Sequence, residues 1–180
     1  MFREMRRKKQ VLERTEIDRI LHYGTNGVLA LSGDEEYPYA VPISYVQDGD
    51  VLYFHCARSG HKMDLIRQNP KASFCVVDQD QIHPEACTTW FRSVIVFGTV
   101  QILEDGQEKR QAIEKLALKY APEDSAENRE RFIRKDWIPL CMLKMTIDHV
   151  TGKEAIELVR QKEITENGVA AAGLKGNSSS

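Results

Sequence analysis

The strongest constraint on the fold of this chain is a set of segments in which apolar and polar residues alternate with period two. The longest covers residues 90–103, where one face carries Phe91, Ser93, Ile95 and Phe97 and the other carries Trp90, Arg92, Val94 and Val96. Side chains alternate in this way along half-buried β-strands. Shorter segments of the same kind occupy residues 28–31, 39–46, 51–56, 72–77 and 138–150. The pattern predicts about six strands.

Helical spacing is confined to short segments between these strands. Apolar residues recur every three or four positions in residues 15–23, 60–69 and 107–120, and residues 127–135 are expected to form a further, polar helix. Asp48-Gly49 lies between two predicted strands and predicts a tight hairpin turn, because both residue types accept positive φ. Residues 79–88 carry Pro84 and little pattern, so we expect a loop there. Since strands and helices do not alternate regularly, the sequence argues against a doubly wound fold. It predicts a mainly β protein, a small closed or nearly closed antiparallel barrel with peripheral helices.

The length of 180 residues and the composition fit one domain. Lys and Arg number 25 against 27 Asp and Glu, a formal net charge of -2, so no overall positive field attracts nucleic acid. We find no apolar stretch suited to a membrane span or a secretory signal, and expect a cytoplasmic protein without membrane or nucleic-acid partners. The four cysteines stand far apart and predict reduced core thiols. The composition after residue 162 predicts one domain over residues 1–162 and a disordered tail over residues 163–180.

The segment best suited to chemistry is residues 53–62, since the sequence has no GxGxxG, GxxxxGK[ST], HExxH or GxSxG motif. A predicted strand ends near Cys56, Gly60 allows a turn, and a helix then begins. Backbone N–H groups and the side chains of Arg58 and Lys62 can therefore converge on an anion such as a phosphate. The alternative is that both cations are solvated surface charges, which is the more common situation.

His55 and His61 belong to this segment, and each has two interpretations. With Cys56 they offer nitrogen and sulfur ligands, but a zinc site needs three or four ligands at defined spacing. No second cluster is evident in the sequence, so we predict no metal site. We expect His55 to be structural, while His61, at the predicted helix start, either contacts a ligand or is simply exposed.

Pro42 lies within a predicted strand. Proline is tolerated in a strand mainly where the strand edge has no ladder partner. Such an edge either faces solvent or is free to bind a flat heterocycle through its backbone.

The order of several motifs resembles the pyridoxamine 5′-phosphate oxidase-like flavoproteins and, within them, the nitroimidazole-resistance (nitroimidazole reductase-like) branch. These motifs are Met5-Arg6-Arg7, Val41-Pro42-Ile43-Ser44-Tyr45, Tyr53-Phe54-His55 through Gly60-His61-Lys62, Asn69-Pro70-Lys71-Ala72 and Phe97-Gly98-Thr99-Val100. The similarity covers residues 5–150. The chain lacks the C-terminal arginine pattern of the true pyridoxamine phosphate oxidases, which argues against oxidation of vitamin B6.

The resemblance implies a six-stranded antiparallel split barrel that binds FMN at a homodimer interface. It places the isoalloxazine ring along Pro42, Ile43, Ser44 and Tyr45. It places the ribityl chain and phosphate at His55, Ala57, Gly60, His61 and Lys62, with Lys62 as the charge partner of the phosphate. The same resemblance implies that the site is closed, in part from the partner subunit, by Trp90, Arg92, Ser93 and Val94. His61 matches the active-site histidine of the resistance branch.

Family resemblance does not decide between two functions. The first is an FMN-dependent oxidoreductase that passes electrons to a small planar acceptor such as a nitroaromatic, with His61 as a proton donor. The second is a non-catalytic protein of the same fold that holds flavin, a deazaflavin or haem, with His55 or His61 as an axial ligand of the haem. A regulatory or nucleic-acid-binding role for the basic residues 6–9 is a third alternative, although such a cluster is more often a solvated tail.

Overall fold

Six antiparallel strands form a closed barrel in the computed structural model, which describes residues 2–175. The strands follow one another around the barrel in the order β1-β2-β3-β6-β5-β4. Their bounds are β1 Asn26–Leu31, β2 Tyr39–Asp48, β3 Val51–Ala57, β4 Lys71–His83, β5 Thr88–Ile102 and β6 Leu140–Glu154. The helices are α1 Arg14–Tyr23, α2 His61–Gln68, α3 Gln107–Tyr120, α4 Ala126–Asp136 and α5 Ile156–Lys175. The predicted fold class, a mainly β antiparallel barrel with peripheral helices, is confirmed.

The inward-facing side chains of the strands fill the barrel. Tyr45, Phe54 and Phe74 are its largest fully buried aromatic residues. The Phe74 ring meets the other two edge-on, with centroids 4.8 Å from Tyr45 and 5.1 Å from Phe54, the geometry that aromatic quadrupoles favour. A second apolar cluster lies outside the barrel, where α3 covers Val46 and Tyr53 with Ile113 and its neighbours. The barrel wall at the end of β2 is therefore held from both faces.

Strand β2 changes its partner halfway along its length. Its first half, residues 39–44, pairs with β1, and its second half, from Tyr45 to Asp48, pairs with β3. The β2–β3 ladder therefore has no rung along residues 39–44, so this part of β2 is not hydrogen-bonded to the end of β3. We call the region between these two segments the cleft.

The loop expected over residues 79–88 is instead the outer part of a long hairpin. Strands β4 and β5 remain paired as far as the rung between His83 and Thr88. Pro84 opens the connecting turn, which ends at Cys87 in the left-handed region with φ 48°. The prediction of a loop was wrong because Pro84 lies in the turn itself, where its missing N–H group interrupts no ladder.

The cysteines and the C-terminal region add two findings. All four cysteines are free thiols, but Cys87 is exposed at the hairpin turn and is not a core residue. Helix α5 enters the segment predicted to be disordered, residues 163–180; that prediction stays untested, and residues 176–180 lie outside the described part of the chain. Over the residues described, no helix combines the length and the apolar character that crossing a membrane requires.

Candidate functional site

The cleft has one wall from β2 and one from the end of β3. Along β2, Pro42 and Ser44 face outward, whereas Ile43 and Tyr45 pack toward the core. His55 and Ala57 are exposed at the end of β3. Continuing the register of the Tyr45–Phe54 rung sets Ser44 opposite His55, although no rung forms there. The cleft therefore has the predicted site residues of β2 on one side and those of β3 on the other.

Tyr120 binds the backbone of β2 at Tyr45, the residue at which the β2–β3 ladder ends. Its hydroxyl accepts a hydrogen bond from the Tyr45 backbone N–H at 3.0 Å, lies 3.0 Å from the Tyr45 carbonyl oxygen, and also bonds the carbonyl of Thr25. Thr25 immediately precedes β1, so this hydroxyl takes the place of the next β1–β2 rung. On the β1 side of β2, the Tyr120 hydroxyl thus supplies the hydrogen-bond partner for the Tyr45 backbone. On the β3 side, the backbone of residues 39–44 has no strand partner and can bind a ligand.

The far end of the cleft is the start of α2. Gly60 precedes this helix with φ 121°, a backbone conformation that favours glycine. A Cβ atom added at Gly60 would meet no heavy atom within 4 Å, so there is open space directly before the helix. The N–H groups of the first turn of an α-helix have no partners within the helix, and they favour an anion.

Three cations lie near this helix start, but they have different partners. Arg58 donates to Asp105 at 2.7 Å, and Arg67 donates to Asp64 at 3.1 Å. Lys62 is half-buried and forms no ion pair within the described residues. It is therefore the cation left available for an external anion.

The charge of Lys62 also acts on its neighbour His55. Although His55 is partly open to solvent, the protein atoms packed around its ring lower its pKa below the ordinary value, and repulsion from Lys62 lowers it further. Both effects disfavour a second positive charge beside Lys62. This arrangement favours a bound anion, which relieves the unpaired positive charge.

His61 is oriented by two side chains. Its Nε2 lies 3.0 Å from Oδ2 of Asp34, and its ring centroid is 4.6 Å from that of Tyr39. Asp34 begins a short turn in which Glu35 and Glu36 both have positive φ, 51° and 67°. Non-glycine residues rarely adopt this region, so the turn has an uncommon backbone conformation, and it places Asp34 beside the imidazole.

The predicted site residues of β5 do not reach the cleft of their own chain. In the strand order, β5 is separated from β2 by β4 and β1, and from β3 by β6. Val94 is fully buried in the core, and Ser93 is half-buried on the opposite face. Arg92 pairs with Glu16, Asp78 and Glu154, and Trp90 stacks on His83 with a centroid distance of 4.0 Å. A role for these residues at the cleft requires a second copy of the chain.

Sequence reasoning missed three residues that shape the site. Asp34 contacts His61 across 27 positions, Asp105 contacts Arg58 across 47, and Tyr120 contacts Tyr45 across 75. Each looks like an ordinary turn or helix-surface residue in its local sequence. No periodicity or motif in one sequence reveals such long-range contacts.

Comparison with known proteins identifies a family with this barrel fold. A family model described as pyridoxamine 5′-phosphate oxidase matches residues 13–154. The chain therefore belongs to the pyridoxamine 5′-phosphate oxidase-like family, and the resemblance of its motifs to that family is confirmed. The uncharacterized protein RA0666 of Rhizobium meliloti (strain 1021) is 35% identical over 94 residues, 52% of this chain and 57% of that relative. The chain thus matches little more than half the length of this curated relative.

Solved structures share the fold at low sequence identity. A candidate 5-nitroimidazole antibiotic resistance protein from Bacteroides thetaiotaomicron has a TM-score of 0.65 and 22% identity, over 80% of this chain and 86% of that one. The FAD and heme binding protein from Mycobacterium smegmatis has a TM-score of 0.67 and 22% identity, over 82% and 73%. The conserved hypothetical protein Rv2991 from Mycobacterium tuberculosis has a TM-score of 0.72 and 16% identity, over 84% and 90%. These similarities establish the shared barrel architecture.

Proposed function

We propose that this protein binds FMN in the cleft and uses it to reduce a small planar acceptor such as a nitroaromatic. The observation that carries the proposal is the position of Lys62. This half-buried cation has no carboxylate partner in the described chain and lies at the start of α2, beside a strand segment without a ladder to β3. One end of the cleft thus suits a phosphate, and the other suits a flat ring system.

The residues present fit FMN at both ends. The phosphate would lie at the start of α2, where Lys62 and the free N–H groups of the first helical turn supply charge and donors. The isoalloxazine would lie along residues 42–45 of β2. Ser44 offers its side chain there, whereas Ile43 and Tyr45 point inward and offer only their backbone. Trp90 and Ser93 would contact the ring from a second copy of the chain.

The descriptions of two of the solved structures are consistent with this choice. One is described as binding FAD and heme, and another is associated with resistance to 5-nitroimidazole, a planar nitroaromatic class. Coordination of a haem iron through His61 Nε2 would break the bond to Asp34. Flavin needs no histidine ligand, and the phosphate of FMN matches the cation at Lys62.

In this mechanism the flavin supplies the electrons, and the chain supplies placement and a proton. Asp34 accepts a hydrogen bond from Nε2–H of His61, so the imidazole is held in one orientation. Its Nδ1 forms no hydrogen bond within the described residues and is the atom at which a proton can be held and passed to the acceptor. Tyr39 packs against the His61 ring and limits its rotation. A second copy of the chain would cover the cleft and exclude water from the reacting faces.

The test is the absorption spectrum of the freshly purified protein, followed by titration with FMN under fluorescence detection. We expect flavin bands, or quenching of added FMN to a one-to-one endpoint with each chain. Lys62→Gln should weaken FMN binding while Lys115→Gln, which changes an exposed cation on α3 that is already paired with Asp48, should not. A colourless protein that quenches no FMN, or a haem band in its place, would contradict the proposal. Loss of nitroaromatic reduction in His61→Gln, with FMN still bound, tests the catalytic part.

A further inference from the structure

The loop between β3 and α2, residues 58–60, is held by contacts from outside the cleft. We call it the phosphate loop. No side chain caps the helix that follows it, and all three of its residues are exposed. Its main side-chain anchor is Arg58, whose guanidinium donates to both carboxylate oxygens of Asp105, at 2.7 and 3.0 Å. A two-point contact of this kind fixes direction as well as distance.

Asp105 is itself fixed by a buried charge. Lys109 is 1% exposed, and its Nζ donates to Asp105 at 2.9 Å, to the carbonyl of Trp137 at 3.0 Å and to the carbonyl of Leu140 at 2.7 Å. The same ammonium lies 4.2 Å from the centroid of the Trp137 ring. A buried ammonium needs such a full set of partners, and removing one of them is costly. The position of Asp105 is therefore determined by the interior of the protein.

These contacts connect the phosphate loop to Lys109 by two routes. Leu140, whose carbonyl binds Lys109, is also the β6 partner of Ala57, the last residue of β3 before the loop. Lys109 therefore contacts both sides of the loop. It binds the carbonyl of Leu140, which pairs with the residue before the loop, and it binds Asp105, which pairs with Arg58 in the loop. Asp105 also neutralises Arg58, which leaves Lys62 as the free cation beside the helix start.

We propose that Asp105 is a positioning residue for the flavin phosphate: it acts through Arg58 to hold the phosphate loop in the conformation that receives the anion. This inference rests on the proposed FMN binding. It distinguishes Asp105 from the residues that would touch the phosphate, since its own partners are Arg58 and Lys109. If Asp105 acts on the phosphate end alone, its loss affects FMN and spares riboflavin, which has the same rings and no phosphate.

The experiment measures the dissociation constants of FMN and riboflavin for the full chain by fluorescence quenching. For Asp105→Asn we expect FMN to bind about fivefold more weakly, the size of effect typical of a strong exposed ion pair, and riboflavin to change less than about twofold. Glu104→Gln is the matched control, because Glu104 is the adjacent exposed carboxylate and forms no ion pair in the described residues. It should leave both constants unchanged.

A double-mutant cycle shows whether Asp105 acts through Arg58. Arg58→Met should reproduce the loss for FMN, and Asp105→Asn should add nothing to it. Arg58→Met also serves if Asp105→Asn does not fold, since Arg58 lies at the surface and its circular dichroism melting curve can be compared with that of the parent.

Three results would overturn the inference. They are an unchanged FMN constant, an equal loss for both ligands, and tighter FMN binding, which would mean that Asp105 competes with the phosphate for Arg58. If the parent protein binds neither FMN nor riboflavin, the proposed function fails as well. The riboflavin measurement therefore separates the two failures.

Discussion

At the scale of single residues, the electrostatics of the cleft make stability depend on pH. The pKa of His55 lies below its ordinary value of 6.5, because burial and the nearby Lys62 both disfavour the imidazolium form. The unfolded chain takes up a proton at His55 as the pH falls through 6.5, while the folded chain resists it. The unfolded state thus binds more protons, and the free energy of unfolding must fall with decreasing pH in this range.

We predict that His55→Gln reduces the loss of stability between pH 7.5 and pH 5.5. The stability that His55 contributes is complete above pH 6.5, the pKa of the imidazole in the unfolded chain. It is lost as the pH falls through the lower pKa of His55 in the folded chain. Urea unfolding at the two pH values measures the difference. His22→Gln, an exposed histidine on α1, is the control. Equal pH dependence in the parent protein and in His55→Gln would show that His55 is not responsible.

The contact between Asp34 and His61 leads to a second prediction at this scale. Asp34→Ala removes the group that orients the imidazole, so we expect nitroaromatic reduction to slow by about three- to tenfold, a part of the usual gain from acid–base catalysis. FMN affinity should change little, because within the described residues the Asp34 carboxylate bonds only the imidazole of His61 and bonds neither Lys62 nor the backbone N–H groups at the start of α2. Steady-state kinetics together with FMN titration measures both quantities. The control is Glu36→Gln, which removes a charge from the same turn and leaves the contact between Asp34 and His61 in place. If this control slows the reaction equally, the effect comes from the charge of the turn and not from the orientation of His61.

At the scale of elements, the end of α3 controls the separation of β1 and β2. The Tyr120 hydroxyl binds the backbone of Tyr45 and of Thr25, where the next rung between the two strands would form. Lys119 reinforces the contact, since its Nζ donates to the carbonyl of Gly24 at 2.6 Å and lies 4.2 Å from the Tyr45 ring centroid. Partial burial of this ammonium lowers its pKa to about 8.

Tyr120→Phe keeps the ring and removes only the hydroxyl. We predict that it lowers the free energy of unfolding by about 1–3 kcal/mol, because polar backbone groups of Tyr45 and Thr25 lose their partner. Chemical denaturation measures the loss. Tyr23→Phe is the control, since Tyr23 is 70% exposed and its hydroxyl has no hydrogen bond in the described chain. Equal stability of Tyr120→Phe and the parent would mean that water replaces the hydroxyl at no cost.

The elements also show how far local pattern can predict this fold. The helical spacing of residues 107–120 predicts α3 to the residue, because its apolar stripe packs on the barrel as amphipathic helices do. The outer part of the β4–β5 hairpin was not predicted. Its residues lack a clear alternating pattern and surround Pro84, and the hydrogen bonds between the two strands cannot be read from local sequence. The same limit applies to the cleft. Pro42 and Lys62 are visible through the motifs, whereas Asp34, Asp105 and Tyr120 join the site only through the closure of the barrel.

At the scale of the whole molecule, one face of the barrel carries a row of outward-facing apolar side chains. Pro42, Val28, Cys75 and Ile95 occupy successive rungs across β2, β1, β4 and β5. Val28 is 39% and Ile95 38% exposed. The row begins at the cleft with Pro42 and ends on β5, the strand whose predicted site residues cannot reach the cleft of their own chain. A second copy packed against this face by two-fold symmetry would cover the row and bring each β5 toward the other cleft.

We propose that the parent protein is such a two-fold dimer, and we predict that Ile95→Lys makes it monomeric and abolishes FMN binding in the same step. The introduced charge would be buried without a partner at the interface, at a cost that a contact of ordinary size does not offset. Sedimentation at several concentrations measures the mass, and FMN titration of the same samples measures the site. Ile138→Lys changes an isoleucine that is 79% exposed and lies outside the row, and it should leave both mass and FMN binding unaltered. A monomeric Ile95→Lys protein that still binds FMN as tightly as the parent would show that each cleft is complete within one chain.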